Sequence, residues 1–142
     1  MQEITGGCHC GNVRYRLVWP ESGAVPVREC KCSFCRKHGG RYTAHPRASL
    51  GILVADRALL SVYRFGSATA DFLVCRTCGV VCAAVSAIDG RRYGVVRVDT
   101  FDPDDVEIAA AKPVDFDGES REDRLQRRTR TWIPDVSLQL RE

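Results

Sequence analysis

The chain has 142 residues, of which 44% are hydrophobic and 27% are charged, and these values are typical of a soluble globular domain with its own core. It contains no run of the roughly 18 apolar residues that a membrane helix requires, so we expect no membrane association. The residues after Met1 do not resemble a signal peptide, so we expect a cytoplasmic protein whose thiols stay reduced.

The first motif is a pair of cysteines followed by a strand. Cys8 and Cys10 are separated only by His9, and nearby glycines give the backbone the freedom that a tight loop needs. Residues 13–19 are rich in β-branched and aromatic side chains, which predicts a strand. A C-x-C pair on one short loop can direct two sulfurs at the same metal ion.

The second motif is a triplet of cysteines, Cys30, Cys32 and Cys35. Its spacing combines C-x-C with C-x-x-C, and three thiolates on one loop can hold a zinc ion while a fourth position stays open. Arg36 and Lys37 follow directly. Their charges could offset the negative site and could receive carboxylates of a bound ligand.

A fourth protein ligand would instead close the site on the triplet. The candidates are Cys82, His9, His38 and His45. Cys82 follows the start of a predicted strand, so burial in the core is the simpler interpretation of this residue. His38, three residues after Cys35, could bind the metal, act as an acid or base beside it, or be a polar loop residue.

Short strands are predicted through the middle of the chain. Turn signals separate them, and Asp89-Gly90 suits a tight hairpin. This regular spacing predicts an all-β assembly and not an alternation of strands and helices. The predicted strands are residues 59–65, 71–75, 80–85 and 93–98.

A second cysteine pair, Cys75 and Cys78, ends one of these strands, and Gly79 completes a knuckle-like C-x-x-C-G turn. Together with Cys8 and Cys10, this pair supplies four thiolates, the ligand set of a closed structural zinc site. Such a site would connect the N-terminal strand to the middle of the chain and stabilise the fold, since an unfolded chain has no preformed site. Disulfide bonds are the alternative, and they would require an oxidising compartment.

The last part of the chain is predicted to contain a short helix. Residues 120–123 resemble a capping box with Asp at the third helical position, and the arginine-rich segment that follows ends before Pro134. The arginines could contact a nucleic acid, but the acidic residues nearby favour a solvated helix face. Trp132 and Ile133 are expected to anchor this segment on the body of the protein.

Charge and motif content narrow the function classes further. The net charge is +3, and seven metal-bound thiolates with two zinc ions would bring it to zero, so no nucleic-acid partner is expected. The chain contains no G-x-S-x-G, no glycine-rich phosphate loop and no H-E-x-x-H. Metal chemistry at the cysteines is therefore the strongest functional signal.

The cysteine motifs, taken in this order, resemble those of the glutathione-dependent formaldehyde-activating enzyme family. The resemblance covers about residues 4–105, which leaves 106–142 as a C-terminal extension of a single zinc-binding domain spanning 1–142. The similar segments are residues 7–15, 30–37 and 75–79, together with 96–102, which look like the late strand and following loop of the family.

This resemblance implies a mainly β fold, the β-tent that the family shares with the methionine-R-sulfoxide reductase B family. It implies two zinc ions per chain, a structural one on the two cysteine pairs and a labile one on the triplet. It also implies that a thiol such as glutathione approaches the second zinc, where a carbon–sulfur bond is formed or cleaved. The implied ligands are Cys8, Cys10, Cys75 and Cys78 for the first zinc and Cys30, Cys32 and Cys35 for the second.

The resulting hypothesis is a zinc-dependent, lyase-like enzyme that acts on an adduct of a glutathione-type thiol and an aldehyde. Zinc on the triplet would bind the substrate sulfur, His38 would remove the proton of the adduct's hydroxyl, and Arg36 and Lys37 would bind ligand carboxylates. Two alternatives stay open. One is a non-catalytic zinc module with a structural or interaction role, and the other is a redox-responsive protein that releases its labile zinc on oxidation.

Overall fold

The computed structural model describes residues 1–142, which form eleven β-strands and two α-helices. Two short 3-10 turns, at Arg57–Leu59 and Val98–Thr100, complete the regular structure. The strands are β1 (Gln2–Gly7), β2 (Val13–Trp19), β3 (Arg28–Cys30), β4 (Arg41–Thr43), β5 (Ser49–Val54), β6 (Leu60–Tyr63), β7 (Asp71–Cys75), β8 (Val81–Ile88), β9 (Arg91–Arg97), β10 (Lys112–Val114) and β11 (Asp135–Leu140), and the helices are α1 (Cys35–His38) and α2 (Arg121–Thr131).

The strands are arranged in two sheets. A four-stranded sheet has the order β1-β2-β5-β11, and a seven-stranded sheet has the order β10-β3-β4-β9-β8-β7-β6. Neighbouring strands are antiparallel except at one end of each sheet, where β11 lies parallel to β5 and β10 lies parallel to β3. The fold is therefore mainly β with a short C-terminal helix, as expected. Neither helix is long and apolar enough to cross a membrane.

The larger hydrophobic core lies between the two sheets. Alternate residues of β2, from Val13 to Trp19, are almost fully buried, while Arg16 between them is exposed. These side chains belong to the same hydrophobic cluster as Leu73 of β7 and Val96 of β9. A slip of one residue in the pairing of β2 would turn its apolar side chains to solvent, so this alternation fixes the register of the sheet.

A second hydrophobic cluster lies on the other face of the seven-stranded sheet and includes Trp132, which follows α2. In β8, Val85 belongs to the first cluster and Ala84 to the second, so this strand is buried on both faces. Ile133 is fully buried and exchanges two backbone hydrogen bonds with Gly94 of β9. The expected anchoring of the C-terminal segment by Trp132 and Ile133 is confirmed.

Helix α2 begins as predicted, because the side chain of Ser120 accepts a hydrogen bond from the backbone N–H of Asp123. The prediction of a solvated arginine face holds for the exposed Arg121 and Arg130. It is wrong for the other arginines of the helix, although Glu119 does pair with two of them. Arg128 is only 7% exposed, and Arg124 and Arg127 form largely buried ion pairs with Glu119. Helix α2 docks on the sheet through this face, so these three arginines become part of the interior of the C-terminal region.

Candidate metal centres

The first cysteine cluster joins two distant parts of the chain. Cys8 and Cys10 lie on the loop after β1, and Cys75 and Cys78 lie at the turn between β7 and β8. Their four Sγ atoms lie within 4.8 Å of one another, with 3.8 Å between Cys8 and Cys10 and 3.5 Å between Cys10 and Cys75. Zn–S bonds of about 2.3 Å in a tetrahedron place the sulfurs about 3.8 Å apart, so this group fits a tetrahedral metal ion.

Local backbone geometry explains why these thiols meet. The N–H of Val13 points at Cys8 Sγ at 3.3 Å, and the N–H of Cys78 points at Cys75 Sγ at 3.5 Å. Gly79 has a φ of 77° and donates its N–H to the carbonyl of Cys75 at 2.9 Å. A residue with a side chain is disfavoured at this φ, so the glycine permits the tight turn that aligns Cys75 with Cys78.

The second cluster is the predicted triplet. Cys30 ends β3, Cys35 begins α1, and the Sγ atoms of these residues and Cys32 lie within 4.8 Å of one another. The N–H of Cys35 points at Cys32 Sγ at 3.4 Å, and hydrogen bonding from Cys35 lowers the pKa of Cys30 to about 6. Three soft sulfur donors in this arrangement could hold a metal ion. All eight cysteines of the chain are free thiols.

None of the four candidates for a fourth ligand contributes an atom to the triplet group. Cys82 is fully buried in the main core, which agrees with the simpler interpretation of this residue. The Nε2 atom of His45 lies 3.0 Å from a carboxylate oxygen of Glu21, and His9 is exposed between the two cysteines of the first cluster.

His38 has two hydrogen-bond partners of its own. Its Nδ1 lies 3.0 Å from the carbonyl oxygen of Phe34, and its Nε2 lies 3.3 Å from the hydroxyl of Tyr42. A carbonyl oxygen only accepts, so Nδ1 carries the proton and Nε2 accepts from Tyr42 in the neutral ring. Burial lowers the pKa of His38 and favours this neutral form.

A cavity of about 450 Å³ adjoins the cysteine triplet. All three cysteines line it, as does Tyr42, and its aromatic wall consists of Phe65, Phe72, Phe116 and Trp132. The predicted residues Arg36, Lys37 and His38 are not among the residues that line it. His38 therefore reaches the cavity only through the hydroxyl of Tyr42. The cations in the lining are Arg28 from β3 and Arg124, Arg127 and Arg128 from α2.

Glu119 organises part of this arginine group. Arg127 donates hydrogen bonds of 3.0 Å to both carboxylate oxygens of Glu119, and its guanidinium lies 3.5 Å from the ring centre of Phe116. Arg124 donates to the carbonyl of Phe116 and to the hydroxyl of Ser67. These cations, with the bonds from Arg127 as the largest cause, lower the pKa of Glu119. The pairs hold the segment before α2 against the helix.

Sequence reasoning missed the aromatic wall, Tyr42 and the arginine lining. A signal for the arginines was present, because Arg124, Arg127 and Arg128 have the i, i+3, i+4 spacing that places side chains on one helix face. That spacing does not reveal whether the face meets solvent or protein. The arginine face meets protein because Trp132 docks the end of α2 on the sheet.

Comparisons with known proteins identify the family. The model of the glutathione-dependent formaldehyde-activating enzyme family matches residues 3–114. A Halomonas elongata protein, provisionally named as an enzyme of this kind, is 49% identical over 57 residues, which are 39% of this chain and 35% of that protein. The matched stretch thus spans about a third of the curated relative's length.

Structural comparison finds a similar fold in a solved protein. A Rhodobacter sphaeroides protein of known crystal structure superposes with a TM-score of 0.53 at 27% sequence identity, covering 74% of this chain and 99% of that one. Because the family model matches most of the chain, including all seven clustered cysteines, the chain belongs to the glutathione-dependent formaldehyde-activating enzyme family.

Proposed function

We propose that this protein is a zinc-dependent enzyme that forms or cleaves the carbon–sulfur bond of an adduct between a glutathione-type thiol and an aldehyde. The observation that carries the proposal is a group of three thiols, with no fourth protein ligand in the group, at the wall of a cavity of about 450 Å³. Ligand pockets commonly have volumes of about 300 to 1,000 Å³, so a small thiol adduct fits this space. Family membership supports the same chemistry.

The two sulfur groups have different proposed roles. Cys8, Cys10, Cys75 and Cys78 would enclose a structural zinc ion with four ligands. The triplet would hold the second zinc ion, which when bound accepts a substrate sulfur and stabilises it as a thiolate.

Tyr42 and His38 supply a route for the proton. In the cleavage direction, the hydroxyl of the adduct gives its proton to the oxygen of Tyr42, while the proton of Tyr42 moves to Nε2 of His38. The carbon–oxygen bond becomes a carbonyl, and the carbon–sulfur bond breaks with its electron pair left on the sulfur. The products are an aldehyde and a thiolate, and the reverse sequence forms the adduct. His38 thus acts through Tyr42 and not by direct contact with the substrate.

Arg36 and Lys37 are proposed to contact the part of the ligand that extends beyond the cavity. Both side chains are exposed on α1, directly after the last cysteine of the triplet. Lys31, the other cation of this motif, forms an ion pair with Glu29 and is less available for a ligand. We also propose that residues 1–142 form one zinc-binding domain that works in the cytoplasm, where reduced thiols are abundant.

The direct test is turnover by the zinc-loaded protein. Exchange of formaldehyde between its hydrate and the glutathione adduct can be followed by NMR, and the protein is expected to accelerate this exchange. Cys32→Ser should abolish the acceleration while the protein stays folded, because it removes one ligand of the triplet. The matched control is Arg130→Gln, an exposed residue of α2 outside the cavity lining.

A zinc-loaded protein that binds no thiol and leaves the exchange rate unchanged would contradict the proposal. It would favour a non-catalytic zinc module, the main alternative. That module would need the triplet metal to be closed by a ligand from another molecule, since the chain itself places none in the group.

A further inference from the structure

One wall of the cavity comes from a part of the chain outside the family match. That match ends at Val114, yet Phe116, Glu119, Trp132 and the three arginines of α2 all line the cavity. We propose that Arg28 of β3 and Arg128 of this wall form a carboxylate-binding subsite, which makes the enzyme selective for mercapto acids and their aldehyde adducts. This inference rests on the proposed function, because it assigns the substrate class of the same site.

Arg128 is a buried cation without an acidic partner. Its Nη1 donates to the carbonyl and hydroxyl of Thr69, at 3.2 and 2.8 Å, and to the hydroxyl of Ser86, at 3.1 Å. Its Nη2 donates to no protein atom, and its Nε is enclosed without a partner. Burial, with the charges of Arg127 and Arg124, lowers the pKa of Arg128 to about 10. A buried charge of this kind is costly unless an opposite charge accompanies it.

Arg28, another arginine of the cavity lining, also lacks an acidic partner. Its one hydrogen bond runs from Nη2 to the carbonyl of Thr131 at 3.5 Å. Burial, and then the charge of Arg127, lowers the pKa of Arg28. The ion pairs at the cavity join Glu119 to Arg124 and Arg127, and they leave Arg28 and Arg128 without a carboxylate.

The position of Arg28 relates this subsite to the cysteine triplet. Arg28 and Cys30 are two residues apart on β3, so their side chains lie on the same face of the strand, about 7 Å apart at the backbone. A single small molecule can therefore place its sulfur at the triplet and its carboxylate at the guanidinium of Arg28. The planar guanidinium presents paired N–H donors that match the two oxygens of a carboxylate.

The remaining lining suits a ligand with an apolar body. Ala70, Phe72, Ala84 and Val95 contribute apolar surface to the cavity lining. Asp117 is the other acidic residue of the lining, but it is exposed and forms no ion pair. The arginine side of the cavity thus keeps an excess of positive charge that one ligand carboxylate would offset.

The test compares 3-mercaptopropionate with its methyl ester, two thiols of nearly equal size that differ in one charge. Calorimetry on the zinc-loaded full chain is expected to show that the acid binds at least about ten-fold more tightly than the ester. Arg28→Gln and Arg128→Gln should each reduce this preference to about two-fold or less. Arg130→Gln, on the same helix but exposed, should leave it unchanged. Arg28→Gln keeps the test valid if Arg128→Gln fails to fold.

The outcomes separate this inference from the proposed function. Equal binding of acid and ester by the unmodified protein, or an unchanged preference in Arg28→Gln, overturns the carboxylate subsite and leaves the thiol site intact. If neither thiol binds, the proposed function fails, and 3-phenylpropionate, which has no sulfur, then becomes the deciding probe. Binding of 3-phenylpropionate by the unmodified protein but not by Arg28→Gln supports the subsite. If the unmodified protein does not bind 3-phenylpropionate, the subsite is overturned as well.

Discussion

The hydrogen bond between Tyr42 and His38 connects a residue of the cavity wall with His38, the proposed base, which does not line the cavity itself. Only 5% of the surface of Tyr42 is exposed. This burial raises the pKa of its hydroxyl above the ordinary range. A tyrosine that stays protonated cannot act alone as a base at neutral pH. It can pass a proton only if a partner such as His38 accepts one at the same time.

Substitutions of Tyr42 or His38 should therefore slow the reaction without weakening the binding of the substrate. Tyr42→Phe is expected to lower the rate of formaldehyde exchange about 100-fold while thiol affinity, measured by calorimetry, changes little. His38→Asn should lower the rate as well. Since the two residues act as a unit, the double variant should be no slower than Tyr42→Phe alone. Independent, multiplying effects in the double variant would contradict a shared proton route.

The two cysteine groups should contribute differently to the free energy of unfolding. Cys75→Ser is expected to lose several kcal/mol of unfolding free energy, because the four-sulfur group joins the loop after β1 to the turn before β8. Cys32→Ser acts within one short segment and should lose much less. Urea unfolding of the zinc-loaded variants measures both. Equal losses in the two variants would contradict the division into structural and open sites.

Cys82→Ala provides a matched control for that comparison. Cys82 is buried in the same core as Cys75 but belongs to neither sulfur group. Its substitution removes one buried sulfur and no metal ligand, so a loss of about 1 kcal/mol is expected. A loss as large as that of Cys75→Ser would mean that core packing, and not metal binding, explains the effect.

At the scale of elements, the docking of α2 depends on Glu119 and its arginines. The pKa of Glu119 is lowered from its ordinary value of 4.5. A carboxylate with a lowered pKa stabilises the folded state at pH values above the ordinary pKa, and this contribution is lost as the pH falls through the folded value. At pH 7 the bonds to Arg127 and Arg124 are fully present.

Glu119→Gln is expected to cost about 1 to 2 kcal/mol of unfolding free energy at pH 7. The difference between the unmodified protein and the variant should shrink as the pH is lowered below about 4.5, because the native carboxylate then also loses its charge. Urea unfolding at pH 7 and at several acidic pH values measures this difference. A difference that does not change with pH would show that Glu119 contributes by packing alone.

The sequence predicts some elements well and others poorly, for physical reasons. β8 and the second half of β9 are rich in apolar residues because they are buried on both faces, so their residues alone indicate strands. β3, β4 and β10 have three residues each and exist through pairing with neighbours, which local composition does not encode. β1 and β5 contain Gly6, Gly7 and Gly51, which weaken the strand signal. β11 is absent from the predicted strands although Val136, Leu138 and Leu140 alternate with polar residues.

The two sulfur groups were predictable because every cysteine in them has another cysteine two or three residues away. Each short spacing lets neighbouring sulfurs reach one metal ion. Two pairs supply the four ligands of a closed site and the triplet supplies three, so we could group Cys8 and Cys10 with Cys75 and Cys78 from the sequence. The cavity depends instead on how α2 and Trp132 dock on a distant face of the sheet. For that reason the arginines at the cavity were predicted to face solvent, and Arg36 and Lys37, the nearest cations in sequence, were chosen in their place.

At the scale of the whole molecule, metal content provides the broadest test. Elemental analysis of gently purified protein is expected to give two zinc ions per chain. A chelator should remove one ion faster, because the triplet offers three ligands beside a cavity. Circular dichroism should show a folded protein after the first loss and unfolding after the second. Loss of both ions at one rate, or unfolding with the first, would contradict this assignment.

The parallel pairing of β10 with β3 and of β11 with β5 has an evolutionary consequence. These two strands flank the segment 115–134, which contains α2 and its three cavity-lining arginines. The ends are held by backbone hydrogen bonds, which make little demand on side-chain identity. The cysteines of both sulfur groups lie outside the segment. Residues 115–134 can therefore change during evolution without disturbing the two sheets. Related proteins could acquire new substrates in this way while keeping the same chemistry.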